Sequence, residues 1–454
     1  MGRGGRDAPS RLLIASMTAK GPGTGTQGAI DKAIALHRAG RLDQAKRLYE
    51  TVLETHPTHV TALHFLGVLH HQRGQSERGV ASIEQAIRLA PDYADAHNNL
   101  GNVLKELGRL EPAFRAYRRV VDLVPGHADA WNNLGVLLRG QGLFDESDQA
   151  YGRAIAINPA HLAAWQNRGN LLARLHRFDE AVAAYSRVLA LRPRHTAAYD
   201  ALSRTLYRAG KVAEALAVYA EWLQADPGNS VALHMLLACG GGTAPARASN
   251  AYVRDTFDAF AGSFDQVLDQ LGYRAPTLIA ALLERVLPAP DGALVIADAG
   301  CGTGLCAPFL RPYAKRLVGI DLSSGMLVRA RARAAYDDLV EAELSTWLAR
   351  QRPVHDLIVS ADTLCYFGAL EQVLSGAATA LRPSGRLVFT VERADDVVSS
   401  YQLTSSGRYS HAEPYVRRAL AGARLAVVDL APAVLRQEVG HDVHGLLVSA
   451  QRAR

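Results

Sequence analysis

A glycine-rich segment in the second half of the chain has residue types suited to binding a nucleotide-like ligand. Gly300, Gly302 and Gly304 follow a short apolar run, and the acid Asp298 precedes them. Because glycine has no side chain, a glycine loop between a strand and a helix lets bare backbone approach a ligand closely. The next apolar run ends in Asp321, whose carboxylate can accept hydrogen bonds from two ribose hydroxyls.

Two classes of cofactor compete for this loop. A dinucleotide-binding loop has the spacing G-x-G-x-x-G and presents a helix N-terminus to the pyrophosphate. Here the spacing is G-x-G-x-G, and Asp298 would repel a pyrophosphate but suits the amino group of a methionine moiety. The loop therefore disfavours a nicotinamide oxidoreductase.

Alternating strands and helices are predicted around the loop, which indicates a parallel, doubly wound sheet. A strand pair at 425–438 and 445–451 is predicted to form a terminal antiparallel hairpin. The parallel strand segments are predicted at 293–299, 316–320, 338–344, 356–360 and 386–392.

Residues 251–452 resemble class I S-adenosylmethionine-dependent methyltransferases. The resemblance rests on residues 298–304 (DAGCGTG), which match motif I, and on residues 319–323 (GIDLS), which match motif II. Residues 257–265 (FDAFAGSFD) are similar to a helix that precedes the domain in bacterial members. The resemblance implies a Rossmann-like α/β fold, methyl transfer as the activity and S-adenosylmethionine as the cofactor.

The resemblance also implies roles for individual residues. The loop glycines would pass along the methionine part of the cofactor, Asp298 would face its ammonium group, and Asp321 would hold its ribose. Met326 would pack beside the adenine, with Glu343 and Leu344 at the edge of the ring. The residues implied to contact the cofactor are Asp298, Gly300, Cys301, Gly302, Gly304, Asp321, Leu322, Met326, Glu343, Leu344, Ala361 and Asp362.

Methyl transfer needs a base only where the acceptor must lose a proton. The candidate catalytic residues are His411 and Tyr366, and Tyr409 and Glu392 are further candidates for a base. His411 follows the fifth predicted strand, where class I enzymes line the acceptor site. The competing interpretation is that His411 is structural, as lone histidines usually are.

Residues 251–271 form a predicted helix whose aromatic face begins near Phe257. Two interpretations stand: the helix packs on the core, or it is a lid over the cofactor. Tyr273 and Arg274 follow it, and they either close over the carboxylate of the cofactor or end a helix at the surface.

The first half of the chain has a period of 34 residues. Prolines recur at that interval, and small residues stand 24 and 12 residues before each proline. A bulky residue, tyrosine or isoleucine, stands eight residues before each proline. Proline ends a helix, and the small residues let two helices approach closely. The pattern resembles the tetratricopeptide repeat and predicts six two-helix repeats. The prolines are Pro57, Pro91, Pro125, Pro159, Pro193 and Pro227.

Asn99, Asn133 and Asn167 occupy one position in successive repeats, so they are predicted to align along one surface. Their resemblance to asparagine-lined peptide-binding arrays implies a groove for a peptide or protein partner. The alternative is that these amides only support contacts between repeats.

These patterns divide the chain into four segments. Residues 1–25 are predicted to be disordered, 26–239 to form six repeats and a capping helix, 240–250 to be a linker, and 251–454 to form the methyltransferase domain. The predicted fold class is an α-solenoid followed by a Rossmann-like α/β domain with an antiparallel terminal hairpin.

Composition narrows the classes of function. The net charge of +6 is carried mainly by arginines scattered among 44 acids, so nucleic-acid binding is disfavoured. Four cysteines without a CxxC pair disfavour a metal site and fit a reducing, cytoplasmic setting. No apolar run has transmembrane length or the length of a signal-peptide core, whether the chain starts at Met1 or at Met17.

The leading hypothesis is a methyltransferase whose repeats bind a protein and whose acceptor is a small molecule or a protein. The alternative is an interaction scaffold with a cofactor-binding but catalytically degenerate methyltransferase domain. A degenerate domain tends to lose a loop glycine or the ribose acid. Here the three glycines, Asp298 and Asp321 are all present, which favours the enzyme.

Overall fold

The computed structural model describes residues 25–395, 398–438 and 440–453. The chain forms two compact units that divide between Thr205 and Leu206. No helix within these ranges is long and apolar enough to cross a membrane. The disorder predicted for residues 1–25 concerns positions that, apart from Gly25, lie outside the described residues. The linker predicted at 240–250 lies inside the second unit, and a domain boundary there stays a prediction.

Helices of 13 and 14 residues alternate along the repeat region, as the period predicts. Each second helix ends two residues before the proline of its repeat, because proline excludes helical geometry from the residue before it. The bounds are α1 (Thr26–Arg38), α2 (Leu42–Thr55), α3 (Val60–Gln72), α4 (Ser76–Leu89), α5 (Ala94–Glu106), α6 (Leu110–Leu123), α7 (Ala128–Gly140), α8 (Phe144–Ile157), α9 (Leu162–Arg174), α10 (Phe178–Leu191), α11 (Thr196–Arg208) and α12 (Val212–Ala225).

A buried tyrosine from the second helix packs on a glycine of the first helix in several repeats. A Cβ added to Gly135 on α7 would lie 2.6 Å from the ring of Tyr151 on α8. The absence of a side chain on the glycine therefore sets how closely the two helices approach. The same distance of 2.6 Å applies to Gly101 with Tyr117 and to Gly169 with Tyr185.

We expect Gly135→Ala to lower the free energy of unfolding by about 1–3 kcal/mol, because the new methyl group displaces the Tyr151 ring. Gly152→Ala, on α8, is the matched control, since a Cβ there meets no atom within 4 Å. In mid-helix this control should stabilise by about 0.5–1 kcal/mol. Chemical denaturation followed by circular dichroism checks both changes, and equal midpoints for the two variants would refute the packing role of Gly135.

The second unit is built on a nine-stranded sheet. The strands are β1 (Leu294–Ala299), β2 (Ala314–Asp321), β3 (Asp338–Glu341), β4 (His355–Ser360), β5 (Leu381–Arg393), β6 (Tyr401–Leu403), β7 (Tyr409–His411), β8 (Leu425–Glu438) and β9 (His441–Arg452). Their order is β3-β2-β1-β4-β5-β7-β6; β9 pairs antiparallel with β5, and β8 pairs with β9. This arrangement confirms the predicted parallel sheet with an antiparallel terminal hairpin.

Helices flank this sheet and precede it. Asn229 is the N-cap of the first of these helices: its side-chain Oδ1 accepts a hydrogen bond from the N–H of Ala232 at 2.9 Å. The helices are α13 (Ser230–Ala238), α14 (Asn250–Phe260), α15 (Phe264–Gln270), α16 (Ala275–Val286), α17 (Ala307–Leu310), α18 (Ser324–Ala332), α19 (Leu344–Ala349), α20 (Glu371–Ala380) and α21 (Glu413–Gly422).

The register of the sheet brings the carboxyl ends of its central strands to one edge. Asp298 on β1 pairs with Gly319 on β2 and with Val359 on β4. β5 runs past the end of β4, and its last residues, Glu392 and Arg393, pair with β7 instead. Ligands of open α/β sheets bind at this edge, so its side chains form the candidate site.

Three local predictions differ from the structure. The single helix expected at 251–271 is two helices, α14 and α15, and the break contains Gly262 and Ser263, which are weaker helix formers than alanine. The third strand stops at Glu341, and the segment after it begins α19. The short strands β6 and β7 were not predicted, because three residues are too few to show a periodic pattern.

Candidate functional site

The glycine loop after β1 has a backbone that other residues rarely adopt. Gly300, Gly302 and Gly304 have φ angles of +81°, +54° and +88°. A Cβ on Gly300 would lie 2.1 Å from the side chain of Thr363, so this position is packed. A Cβ on Gly302 would meet only Phe264, at 3.9 Å. The backbone at Gly302 therefore borders open space.

Asp298 is a buried acid at the base of this loop, and 1% of its surface is exposed. The hydroxyl of Tyr336 donates a hydrogen bond to Asp298 Oδ2 at 2.6 Å. Burial raises the pKa of Asp298 to about 7, and the nearby charge of Asp321 adds to the rise, whereas the Tyr336 hydrogen bond opposes it. A cation beside this carboxylate would relieve the cost of burying its charge.

Asp321 ends β2 and binds the glycine loop directly. Its Oδ2 accepts a hydrogen bond from Gly302 N–H at 2.8 Å, and its Oδ1 accepts one from Ser323 N–H at 2.8 Å. Burial raises the pKa of this carboxyl, while these backbone hydrogen bonds lower it. A carboxylate has about four acceptor sites, so Asp321 can still accept a hydrogen bond from a hydroxyl group.

The residues expected beside the adenine lie at the starts of α18 and α19. Ser323 caps α18 by accepting a hydrogen bond from Met326 N–H at 3.1 Å, and Met326 is buried. Glu343 caps α19: its carboxylate accepts from the N–H groups of Ser345 at 2.9 Å and of Thr346 at 2.8 Å. The Glu343 carboxylate therefore fixes its own helix, and its contact with adenine stays a prediction.

The remaining residues predicted to touch the cofactor are spread along the same edge. Cys301 is buried within the loop, and burial raises the pKa of its thiol. Leu344 is buried at the start of α19, whereas Leu322 and Ala361 are half-buried at the ends of β2 and β4.

Two carboxylates join the helix pair α14–α15 to the two turns that are predicted to bind the cofactor, after β1 and after β2. Asp258 Oδ1 accepts hydrogen bonds from Ser323 Oγ at 2.5 Å and from Gly325 N–H at 3.0 Å. Asp265 Oδ1 accepts one from Thr303 Oγ at 2.5 Å, next to Gly302. With Phe264 facing the open position at Gly302, this geometry favours the interpretation of the segment as a lid.

The turn after α15 joins this helix pair to the terminal hairpin. Arg274 N–H donates to Leu435 O at 2.8 Å, and Gln437 N–H donates to Leu271 O at 2.7 Å. Burial and, after it, the negative charge of Asp362 raise the pKa of Tyr273 well above its usual value. Arg274 is exposed, which favours the interpretation that it ends a helix at the surface.

Asp362, at the end of β4, has the left-handed φ of +53° and forms a buried ion pair. Arg436 on β8 is 1% exposed, and its Nη1 lies 3.1 Å from Asp362 Oδ2. Its Nη2 donates to Glu392 Oε1 and its Nε donates to Glu438 Oε1 at 2.7 Å. One arginine thus bonds to three carboxylates, one that follows β4 and one each on β5 and β8.

Arg408 completes this group of charges, which we call the Arg436 cluster (Asp362, Glu392, Arg408, Arg436 and Glu438). Its Nη1 donates to Glu438 Oε1 at 2.7 Å and lies 3.5 Å from Glu392 Oε1. Its Nε donates to the hydroxyl of Tyr366 at 3.3 Å. The cluster therefore lies at the carboxyl ends of β4 and β5, beside the glycine loop.

The two candidate catalytic residues have different surroundings. His411 on β7 is fully buried, and its Nε2 lies 2.8 Å from Phe367 O and 3.1 Å from Gly368 O. Burial lowers the pKa of His411 to about 4. Tyr366 contacts Arg408 and the ring of Phe257, at a centroid distance of 5.4 Å. Tyr366 thus borders the cluster, whereas His411 binds a backbone turn, and a catalytic role of either stays a prediction.

Sequence reasoning missed both cluster arginines and the roles of the two lid carboxylates. The sequence offered a pattern that could have indicated Asp258 and Asp265, since each follows a phenylalanine in residues 257–265. No sequence pattern marks Arg408 or Arg436, because they are two of many scattered arginines. Arg408 bonds to Glu438 and Arg436 bonds to Asp362, which are distant in sequence.

In the first unit the aligned asparagines bond to neighbouring repeats. Asn99 is buried, and its Nδ2 lies 2.7 Å from His64 Nε2. Asn167 Nδ2 donates to Asn132 Oδ1 at 3.0 Å. Asn133 is also bridged to another repeat: its Nδ2 lies 3.3 Å from Asn102 Oδ1 and its Oδ1 accepts from Lys105 Nζ at 3.2 Å. These bonds favour the supporting role, and peptide binding by the three residues stays a prediction.

Comparison with known proteins agrees with both halves of this description. The model of a methyltransferase domain family matches residues 297–389. Tetratricopeptide repeat models match residues 30–94, 72–128 and 167–230, and a second such model matches residues 128–161.

Individual relatives are similar to the second unit only in part. Methyltransferase-like protein 27 of Homo sapiens is 37% identical over 115 residues, which are 25% of this chain and 45% of the relative. A malonyl-[acyl-carrier protein] O-methyltransferase of Enterobacter lignolyticus is 32% identical over 141 residues, 31% of this chain and 54% of the relative. The chain thus spans about half the length of these curated relatives.

Among solved structures, an S-adenosylmethionine-dependent methyltransferase from Mesorhizobium loti is 26% identical with a TM-score of 0.32. The match covers 38% of this chain and 96% of that protein. The family models, together with the repeat helices and the sheet order, identify the two parts. The chain joins a tetratricopeptide repeat array to a domain of the methyltransferase family.

Proposed function

We propose that the chain is an S-adenosylmethionine-dependent methyltransferase whose repeat array binds a peptide or protein. The observation that carries this proposal is the bare backbone at Gly302, which borders open space and donates a hydrogen bond to Asp321, while Asp298 is buried at the base of the same loop. When bound, the cofactor supplies a methyl group on a positively charged sulfur. The protein contributes mainly by positioning, which can account for about 7–11 kcal/mol of the barrier.

The residues at the edge of the sheet fit this cofactor. Asp298 has a buried charge whose hydrogen-bond partner in the described part of the chain is one tyrosine hydroxyl, so an ammonium group would be a suitable neighbour. Asp321 has acceptor capacity left for ribose hydroxyls. A valine-sized side chain at Gly302 would fill the space that the methionine part needs.

A degenerate scaffold is not favoured. Each loop glycine keeps its positive φ, and Asp321 keeps its hydrogen bond to the loop at 2.8 Å. The peptide partner is supported by the repeat family alone, because the asparagines at the aligned position also bond to one another's repeats. The acceptor is a small molecule or a protein held by the array.

S-adenosylhomocysteine carries the same ammonium group as the cofactor. We expect the affinity for S-adenosylhomocysteine to decrease as the pH is lowered. Asp298 has a pKa of about 7 in the free protein, so its carboxyl becomes neutral as pH falls and no longer attracts the ammonium. Well below that pKa the dissociation constant should rise by about tenfold per pH unit.

Calorimetric titrations at several pH values between about 5 and 7 measure this slope. Asp298→Asn is the control: it should bind weakly at every pH and show a flat profile. An identical slope in wild type and Asp298→Asn would show that Asp298 does not face the ammonium.

A further inference from the structure

The Arg436 cluster lies where a methyl acceptor would meet the cofactor. Asp362 lies two residues after the end of β4, and the next residue, Thr363, donates from its Oγ to Gly300 O at 3.2 Å. Glu392 stands at the end of β5. The cluster therefore borders the glycine loop on the side away from Asp321, which ends β2 on the opposite side of β1.

The hydrogen bonds inside the cluster leave acceptors free rather than donors. All three edges of the Arg436 guanidinium point at protein carboxylates. Glu392 and Glu438 both receive these bonds through Oε1, and among residues 25–395, 398–438 and 440–453 no donor reaches Oε2 of either. Because three carboxylates face two guanidinium groups, the formal charge is negative.

An unpartnered hydroxyl stands beside Glu392 and gives an independent indication of a ligand. Ser410 on β7 is 4% exposed, and its Oγ has no hydrogen-bond partner in the part of the chain that the structure describes. Ser410 pairs with Glu392 in the parallel register, so the two side chains lie on the same face of the sheet. Buried hydroxyl groups without a partner are uncommon, and a ligand would satisfy this one.

We propose that the Arg436 cluster binds an amine as the methyl acceptor, with Glu392 as the residue that takes its proton. This inference rests on the proposed function. The alkylammonium group donates hydrogen bonds to Glu392 Oε2 and Glu438 Oε2, which are the free acceptors. An acceptor that is itself a carboxylate would face a negative cluster whose Arg436 donors are already occupied.

The transfer step balances in atoms and charge. Glu392 removes one proton from the ammonium group, leaving a neutral amine with a lone pair. That lone pair attacks the methyl carbon of S-adenosylmethionine, and the carbon–sulfur bond breaks with its electron pair remaining on sulfur. The products are a methylammonium group and S-adenosylhomocysteine, and the proton on Glu392 leaves to solvent. Burial raises the pKa of Glu392 against the lowering effects of Arg436 and Arg408, which makes it a stronger base.

Two probes of equal carbon count test the charge preference. The full-length protein is saturated with S-adenosylhomocysteine, and saturation-transfer NMR then follows butylammonium and butyrate. We expect transfer to butylammonium and none to butyrate. Transfer to butyrate, or to neither probe while S-adenosylhomocysteine binds, overturns the proposal. Failure of S-adenosylhomocysteine itself to bind would instead count against the proposed function.

Variants locate the binding to the cluster. Glu392→Gln keeps an acceptor for Arg436 but removes the charge, and it should weaken butylammonium binding by about tenfold or more. Glu413→Gln is the matched control, because Glu413 is a half-buried carboxylate outside the cluster, paired with Arg417 at 2.8 Å on α21. S-adenosylhomocysteine binding reports that each variant is folded. Equal butylammonium affinity in both variants refutes the role of Glu392.

Discussion

Gly302→Val is expected to lower the affinity for S-adenosylhomocysteine by more than about 100-fold, because a branched side chain would occupy the open position beside the backbone. Because the φ of residue 302 is +54°, valine at this position adds a backbone strain of about 1–2 kcal/mol. This strain is local to the glycine loop, so we expect the repeat helices to stay folded. Calorimetry measures the affinity, and circular dichroism checks the fold.

Gly292→Val separates loss of binding from backbone strain. Gly292 also has a positive φ, +68°, and no atom lies within 4 Å of its added Cβ, but it stands before β1 and outside the loop. Both variants should lose similar stability, and only Gly302→Val should lose binding. Unchanged affinity in Gly302→Val would mean that the ligand does not touch this backbone.

Arg436→Met should destabilise the protein by about 3–5 kcal/mol, because it leaves the carboxylates of Asp362 and Glu392 buried without their partner. Arg417→Met is the matched control. Arg417 forms an ion pair with Glu413 in which both side chains are at least a third exposed, so its loss should cost under about 1 kcal/mol. Urea denaturation of the full chain compares the two variants.

The destabilisation by Arg436→Met should depend on pH. Without the guanidinium, the pKa values of the Glu392 and Glu438 carboxyls rise in the folded state, so the folded variant binds protons more tightly than the unfolded chain does. Its deficit relative to wild type should therefore shrink as pH falls towards the range of unfolded carboxyls, about 4. A deficit that stays constant with pH would show that packing, not charge, is what Arg436 supplies.

The repeat helices and the glycine loop were predictable because their signals are local. Proline acts on the residue beside it, so the grid from Pro57 to Pro227 marks six helix ends. The three loop glycines and Asp298 stand within seven residues, which is the length of a single turn between strand and helix. In the structure each of these three glycines has a positive φ.

The acceptor side was not predictable because its contacts are long-range. Arg436 meets Asp362 across 74 residues and Glu392 across 44 residues. Arg408 precedes a strand of three residues, β7, that shows no alternation. In the repeats, the recurrence of Asn133 was visible, but its bond to Asn102 was not, because a period does not say which way an amide points.

The central claim is tested most directly by calorimetric titration of the full-length protein with S-adenosylmethionine and, separately, with NAD. The structure predicts equimolar binding of S-adenosylmethionine, since one glycine loop is flanked by Asp298 and Asp321, and no binding of NAD, whose pyrophosphate Asp298 repels. Absence of S-adenosylmethionine binding, or binding of NAD in its place, would contradict this account.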